Sequence, residues 1–256
     1  MKDSRGYIER MKASMKEKLF FVDKIDLNNK IIVDFGCAEG DLLQELDHME
    51  LENTTFIGVE SNAEFFSQIN VLNEKYYLFY NLTEVEQKIR EWRLLKYDDR
   101  EVVLICSSVI HELSKSFFKR VANFACGIAD YVVIRDMYWD NQFSGDVEAV
   151  YPRVLRQCDS DRALLLADLI EHRGQMSPKV MAEFLLKYRY TENWETEVLE
   201  DYFSVPWKHI ELLWAFQPIY DRKYINSFIK NDLHKTFDID LVWPTHRTMI
   251  LKRTEE

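Results

Sequence analysis

Small residues alternate with larger ones directly after a short apolar run, residues 31–33. The chain reads Asp34-x-Gly36-x-Ala38-x-Gly40. Glycine at 36 permits a tight turn, and the small side chain of Ala38 lets a ligand approach the backbone. Gly40 precedes a predicted helix, whose first N–H groups favour an anionic group. This spacing predicts a loop that holds part of a ligand.

Two common phosphate-binding loops do not fit here. Counted from Gly36, a dinucleotide fingerprint needs glycine at 38 and 41, where the chain has Ala38 and Asp41. No Gly-Lys-Ser/Thr follows, which excludes a Walker loop. The loop therefore disfavours NAD and excludes the P-loop mode of binding.

A polar residue follows each of the next predicted strands. Glu60 ends the second strand, twenty positions after Gly40, and Asn81 follows the third. Ser107 follows the fourth strand and Asp136 the fifth. In a doubly wound sheet, ligands bind beyond the carboxyl ends of the strands, so these residues are candidates for one site.

The elements that position these residues are five short apolar strands alternating with helices. The predicted strands are 31–33, 55–60, 76–80, 102–106 and 131–134. Wholly apolar strands joined by helices indicate a parallel sheet covered on both faces. Because such crossovers are right-handed, the natural topology is doubly wound.

The loop motif and the acidic residue after the second strand resemble those of class I S-adenosylmethionine-dependent methyltransferases. The chain departs from the usual motif by Ala38 in place of the middle glycine. The resemblance implies an α/β fold with a doubly wound, mainly parallel seven-stranded sheet, a C-terminal antiparallel hairpin and a helical, aromatic-rich insertion. It implies S-adenosylmethionine as cofactor, with Glu60 accepting hydrogen bonds from the two ribose hydroxyls.

Twelve residues follow as site candidates, and no metal site is expected. Cofactor contacts are assigned to Asp34, Gly36, Cys37, Ala38, Gly40, Glu60, Ser61, Asn81, Leu82 and Ser107. His111 and Asp136 are candidates for the base that an acceptor would need if it must lose a proton. Asp34 and Glu60 could instead be strand-end carboxylates that cap helices, Asn81 a turn residue, and His111 a residue near a helix start.

We expect a single methyltransferase-like domain over residues 1–256. Its parts are an N-terminal helix (1–29), a cofactor-binding α/β core (30–137), a helical acceptor region (138–234) and a C-terminal β-hairpin (235–256). The N-terminal helix either packs on the domain edge or covers a ligand. The aromatics of the third part either form an acceptor pocket or belong to the core. The hairpin strands are 236–242 and 248–252, and residues 187–189 read as a solvated basic face.

The charge and composition of the chain limit the kinds of partner that it is expected to bind. The chain has 256 residues and a net charge of −11, which lacks the basic character expected of a nucleic-acid-binding protein. Four cysteines without metal-ligand spacing, no membrane-length apolar run and a charged N-terminus predict a cytoplasmic protein that does not enter a membrane.

The acceptor is the open question. The acidic charge slightly favours a small molecule, while RNA and protein acceptors stay possible. Residues 107–110 read Ser-Ser-Val-Ile, where the familiar amino-methylases of nucleic-acid bases carry Asn-Pro-Pro-Tyr. The rival interpretation is a non-catalytic binding module with the same fold. The sequence does not determine the oligomeric state.

Overall fold

A computed structural model describes residues 14–69, 74–95, 98–203 and 207–254. Within these ranges the chain forms two compact units. The first, called here the α/β unit, holds residues 15–136, 207–222 and 248–254. The second, the helical unit, holds residue 14 together with 137–203 and 223–247. The expectation that all parts form a single domain stays a prediction.

Within the described residues, the strands form one seven-stranded sheet. They are β1 Lys30–Phe35, β2 Thr55–Val59, β3 Tyr76–Phe79, β4 Glu101–Ser107, β5 Tyr131–Met137, β6 Phe216–Tyr224 and β7 His246–Arg253. Their order is β3-β2-β1-β4-β5-β7-β6, and the first five pair in parallel. The predicted fold class is confirmed.

The central strands form because they are apolar and buried along their whole length. Every residue of β1 and of β2 is buried, as expected for strands covered on both faces. The chain leaves β1 on one side toward β2 and later returns on the other side as β4. The carboxyl ends of β1 and β4 therefore flank the point where the strand order reverses, which is where such sheets bind ligands.

Nine α-helices of the described chain accompany the sheet, in addition to the helical residues 14–18. They are α1 Asp41–Asp47, α2 Ala63–Gln68, α3 Leu82–Leu95, α4 Lys115–Ile128, α5 Ser144–Gln157, α6 Ser160–Arg173, α7 Pro178–Lys187, α8 Trp194–Glu197 and α9 Ser227–Phe237. In α3 the buried residues Val85, Ile89 and Trp92 recur at steps of four and three. The sequence therefore specifies which face of α3 is buried.

The N-terminal helix is shorter than predicted where the structure describes it. Residues 14–18 are helical and turns follow to residue 24, while residues 1–13 lie outside the described chain. Phe21 is fully buried and joins the hydrophobic core that also contains Ile32 and Leu43. This burial fixes the end of the segment on the α/β unit.

The helical unit has its own core, and much of its predicted aromatic stretch lies there. Phe184, Tyr188 and Trp194 are buried in one cluster with residues of α5, α6 and α9. The prediction of a solvated face over 187–189 is wrong. Lys187 has no exposed side-chain surface, because its ammonium lies 2.9 Å from the Glu183 carboxylate and donates to the Glu197 carbonyl.

The predicted strand 236–242 is also wrong, because the last residues of α9 occupy its beginning. Asn226 caps α9 by accepting the N–H of Ile229. Asp238 ends α9 with a left-handed backbone, and residues 238–242 belong to no strand, although burial alternates along them. The partner of β7 is instead β6, which lies inside the stretch predicted as helical.

Both C-terminal strands are antiparallel to their neighbours. Arg253 donates its N–H to the Asp130 carbonyl and Tyr138 donates to the Thr245 carbonyl, so β7 runs against β5. Thr254 donates its N–H to the Ala215 carbonyl and Thr245 donates to the Tyr224 carbonyl, so β6 runs against β7. The predicted antiparallel C-terminal pair is therefore present, with different bounds.

A helix long and apolar enough to cross a membrane is absent from the described residues.

Candidate functional site

The loop after β1 has left-handed backbone at every second position. The φ angles are +75° at Gly36, +47° at Ala38 and +83° at Gly40. Residues with a side chain adopt this region at a cost, whereas glycine adopts it without cost. The alternation of small residues seen in the sequence is therefore a requirement of the loop's own backbone.

Gly36 also packs closely against another loop. A Cβ atom at this position would lie 2.5 Å from Cγ2 of Val109. Because Gly36 has no side chain, the segment after β4 can pack against it. The loops after β1 and β4 therefore contact each other directly.

Glu60 shapes the same loop through its carboxylate. Its Oε2 accepts the N–H of Ala38 at 3.0 Å and its Oε1 accepts the N–H of Asn62 at 2.7 Å. Each oxygen of a carboxylate offers two acceptor positions, so each can accept one further hydrogen bond. Glu60 can therefore support the loop and still accept from a pair of hydroxyls.

Asp34 is a buried carboxyl beside a buried ammonium. Burial raises the pKa of Asp34 to about 7, opposed by the positive charge of Lys18 and reinforced by the negative charge of Glu60. Burial and the charge of Arg135 lower the pKa of Lys18 to about 8, while Asp34 and Asp41 act in the opposite direction. Lys18 of the N-terminal segment thus lies within electrostatic reach of the loop.

Two small side chains of the predicted set differ in their chemistry. Burial raises the pKa of the Cys37 thiol, which excludes a thiolate at neutral pH. The hydroxyl oxygen of Ser107, at the end of β4, is buried and has no hydrogen-bond partner in the described chain. A buried hydroxyl without a partner is costly, and a ligand that bonds it would remove that cost.

The remaining site candidates that follow β2 and β3 are less buried than those that follow β1 and β4. Ser61 is exposed, and Leu82 is the half-buried first residue of α3. Asn81 accepts the N–H of Glu84 at 3.1 Å and donates to the Glu84 carboxylate at 2.9 Å. Asn81 therefore acts as the cap of α3. Its assignment to the cofactor stays a prediction.

His111 and Asp136, 25 positions apart in the sequence, form a buried pair. Nδ1 of His111 lies 2.8 Å from Oδ1 of Asp136, and Asp136 has no exposed surface. The other oxygen of Asp136 accepts the backbone N–H groups of Ile110 and His111 at 2.9 and 3.2 Å. Because a carboxylate only accepts, Nδ1 carries the proton that it shares with Asp136, and Nε2 is the remaining ring nitrogen, 3.8 Å from Oε1 of Glu112. The arrangement fixes both the tautomer and the ring orientation.

Sequence reasoning missed a second set of charges at this edge. Arg135 is buried at the end of β5, donates to the hydroxyl of Ser108 at 2.7 Å and lies 3.3 Å from the Glu17 carboxylate. A charged residue near the end of a mainly apolar strand was the sequence signal that could have identified Arg135. Nothing in the local sequence indicated Glu17 or Lys18 as its neighbours.

The comparison with solved structures identifies the fold, whereas the two sequence comparisons found nothing. No protein-family model matches the sequence, and no curated protein matches it. The structure is similar to a SAM-dependent methyltransferase from Archaeoglobus fulgidus, with a TM-score of 0.52 and 13% identity over 96% of this chain and 99% of that chain.

Two further solved structures are similar at the same level. PKMT2 from Rickettsia typhi has a TM-score of 0.51 and 13% identity over 94% of this chain, which spans 52% of that protein. An S-adenosylmethionine-dependent methyltransferase from Mesorhizobium loti has a TM-score of 0.50 and 10% identity over 94% of this chain and 98% of that chain. Together with the strand order, these likenesses show that the chain has the class I methyltransferase fold.

Proposed function

We propose that the protein binds S-adenosylmethionine and transfers its methyl group to an acceptor that loses a proton during the reaction. The observation that carries this proposal is the His111–Asp136 pair, 2.8 Å apart and buried after β4 and at the end of β5. This is the sheet edge at which the loop 34–40 also lies. A proton acceptor beside a ligand loop favours group transfer over simple binding.

The residues of the loop fit the cofactor that the fold implies. Glu60 keeps acceptor positions for the ribose hydroxyls, and the buried Ser107 hydroxyl lacks a partner that a ligand would supply. S-adenosylmethionine, when bound, supplies a methyl group on a positively charged sulfur. The carboxyl of Asp34, with its pKa of about 7, can ionise beside that charge.

In the proposed mechanism the chain's own residues orient the acceptor and take up its proton. Asp136 holds the ring of His111 so that Nε2 is the basic nitrogen, and the two backbone N–H groups keep Asp136 in place. His111 then accepts the proton of a hydroxyl, thiol or amine of the acceptor as its bond to carbon forms. The remaining contribution is alignment of the reacting atoms.

The acceptor is assigned only by class. The net charge of −11 favours a small molecule over a nucleic acid, because a nucleic acid needs a basic surface. An RNA or protein acceptor, docked through a local patch of the surface, is the alternative. The assignment of an acceptor pocket to residues 138–234 stays a prediction.

A non-catalytic binding module with this fold is the rival proposal. Both proposals require cofactor binding, because both retain the loop and Glu60. They differ in the need for the His111–Asp136 pair, since a binding module has no use for a proton acceptor. Turnover that depends on His111 therefore distinguishes them.

Calorimetry and a methyl-transfer assay test the proposal in sequence. S-adenosylmethionine and S-adenosylhomocysteine should bind, and NAD should not. Labelled S-adenosylmethionine should then transfer its methyl group to pools of small-molecule acceptors. In Asp136→Asn the amide donates to Nδ1 and forces the proton onto Nε2, so transfer should fall by about 10²–10⁴ with cofactor affinity unchanged. Absence of cofactor binding contradicts the whole proposal, whereas binding without transfer supports the rival.

A further inference from the structure

Arg135 connects two segments that are distant in the sequence. Its guanidinium donates to Oγ of Ser108 at 2.7 Å and lies 3.3 Å from Oε2 of Glu17. The Arg135 side chain is 4% exposed and that of Glu17 is 19% exposed, so this ion pair is largely shielded from water. Shielded pairs of this kind hold their geometry better than pairs on an open surface.

Ser108 is the strained residue of the loop that carries His111. Its φ angle is +57°, in the left-handed region that disfavours a side chain. The backbone N–H of Ser108 donates to the carbonyl of Arg135 at 2.7 Å, in addition to the contact between the two side chains. Two contacts to Arg135 thus hold Ser108 in a conformation that it would otherwise leave.

Arg135 and Asp136 hold the same loop at two points. Arg135 holds Ser108, whereas Asp136 accepts the N–H groups of Ile110 and His111 and fixes the His111 ring. Displacement of Ser108 would move the backbone of the next residues relative to β5. The orientation of His111 therefore depends on the Arg135 contacts as well as on Asp136.

Glu17 extends this linkage to the N-terminal segment. It lies in the helical residues 14–18, directly before the buried Lys18, whose pKa responds to the charges of Arg135 and Asp34. Loss of the Glu17 contact would remove one carboxylate partner from the buried guanidinium of Arg135.

We propose that Arg135 is a positioning residue that links the N-terminal segment to the His111 loop, so that the Glu17–Arg135 contact, together with Asp136, orients the His111 ring. This rests on the proposed function only in the role given to His111 as proton acceptor. The linkage itself concerns the protein without ligand and is measurable in that state.

The test uses nuclear magnetic resonance of the six histidine rings of the full chain, with His111 assigned from the spectrum of His111→Gln. Glu17→Gln and Ser108→Ala should each shift the ring nitrogens of His111. The backbone amides of Ile110 and His111 should also exchange with solvent at least about threefold faster. The control is Asp23→Asn, which removes one charge from an exposed carboxylate that pairs with Lys24. It should leave the His111 signals unchanged.

Arg135→Lys separates charge from geometry. Lysine keeps the positive charge but lacks the planar fork that contacts Ser108 and Glu17 together, so the His111 signals should shift as in Glu17→Gln. Unchanged His111 signals in Glu17→Gln, with or without a loss of stability, would overturn the proposal. Failure of S-adenosylmethionine to bind would instead contradict the proposed function and leave this result intact.

Discussion

The carboxylate of Glu60 accepts the backbone N–H of Ala38 at 3.0 Å, joining the end of β2 to the middle of the loop after β1. The same carboxylate accepts the N–H of Asn62. Glu60 is therefore part of the architecture of the loop before any ligand binds. An acidic residue at this place serves two roles, and variants must be interpreted with both in mind.

Glu60→Ala should reduce stability and cofactor affinity together. Loss of the carboxylate leaves the N–H groups of Ala38 and Asn62 without their acceptor, which we expect to cost about 1–3 kcal/mol in the free energy of unfolding. Urea unfolding and calorimetry with S-adenosylhomocysteine measure the two effects. Glu45→Ala, at an exposed position of α1, is the control. Wild-type stability in Glu60→Ala would show that these hydrogen bonds are not needed.

Gly36→Ala should destabilise the protein even without ligand. The new Cβ would meet Val109 at 2.5 Å and would stand at a φ angle of +75°. Together these effects should cost about 2–4 kcal/mol. Combination with Val109→Ala removes the nearest contact, although Cβ of residue 109 would stay at 3.0 Å. The double variant should therefore lose less than the sum of the single losses. Additive losses would mean that the two residues do not interact.

Ala38→Gly should have the opposite sign. Glycine tolerates the φ angle of +47° at this position, so the strain of the alanine is released. We expect stability to rise by up to about 1 kcal/mol, after subtraction of the entropy that glycine adds to the unfolded chain. Ala149→Gly, at an exposed position of α5, should instead lose about 1 kcal/mol. Urea unfolding measures the stability of both variants. A comparable loss of stability in Ala38→Gly would contradict this expectation.

Asp34→Asn should change how stability depends on pH. The raised pKa of Asp34, about 7, means that folding takes up a proton between pH about 4 and 7. The resulting stabilisation is complete below pH about 4 and is lost as the pH rises through about 7. Unfolding free energies from pH 4 to 7.5 should therefore decline less steeply in Asp34→Asn than in the wild type. Asp146→Asn, at an exposed position, is the control. An equal slope of unfolding free energy against pH in Asp34→Asn and in the wild type would contradict this expectation.

Glu183→Gln should loosen the helical unit. Oε1 of Glu183 lies 2.7 Å from Arg173 and 2.9 Å from Lys187, and it accepts the N–H of Tyr202 at 3.2 Å. Neutralising the carboxylate leaves the buried Lys187 and the half-buried Arg173 without their shared anion, at a cost of about 3–5 kcal/mol. Hydrogen exchange across α7 and at Tyr202 measures the loss. Glu195→Gln, at an exposed position, should leave both protected, and protection unchanged in Glu183→Gln would argue against the network.

The C-terminal region shows how local pattern can mislead. Burial alternates over Phe237, Ile239 and Leu241, as in a strand. Ile229, Leu233 and Phe237 also recur at helical spacing after the cap at Asn226, and the helix extends to Phe237. Which pattern prevails depends on the surface that each residue packs against, because both patterns bury the same apolar groups. That surface belongs to other parts of the chain.

The sequence by itself determined the alternating strands and helices and the backbone of the ligand loop. Both depend on short-range effects, since apolar runs select buried strands and the φ angle at positions 36, 38 and 40 selects small side chains. Only the tertiary structure decided that His111 meets Asp136 and that Glu17 meets Arg135, 118 positions away. These contacts follow from strand order and register, which bring distant residues to one edge. A single sequence carries no local signal for such pairs.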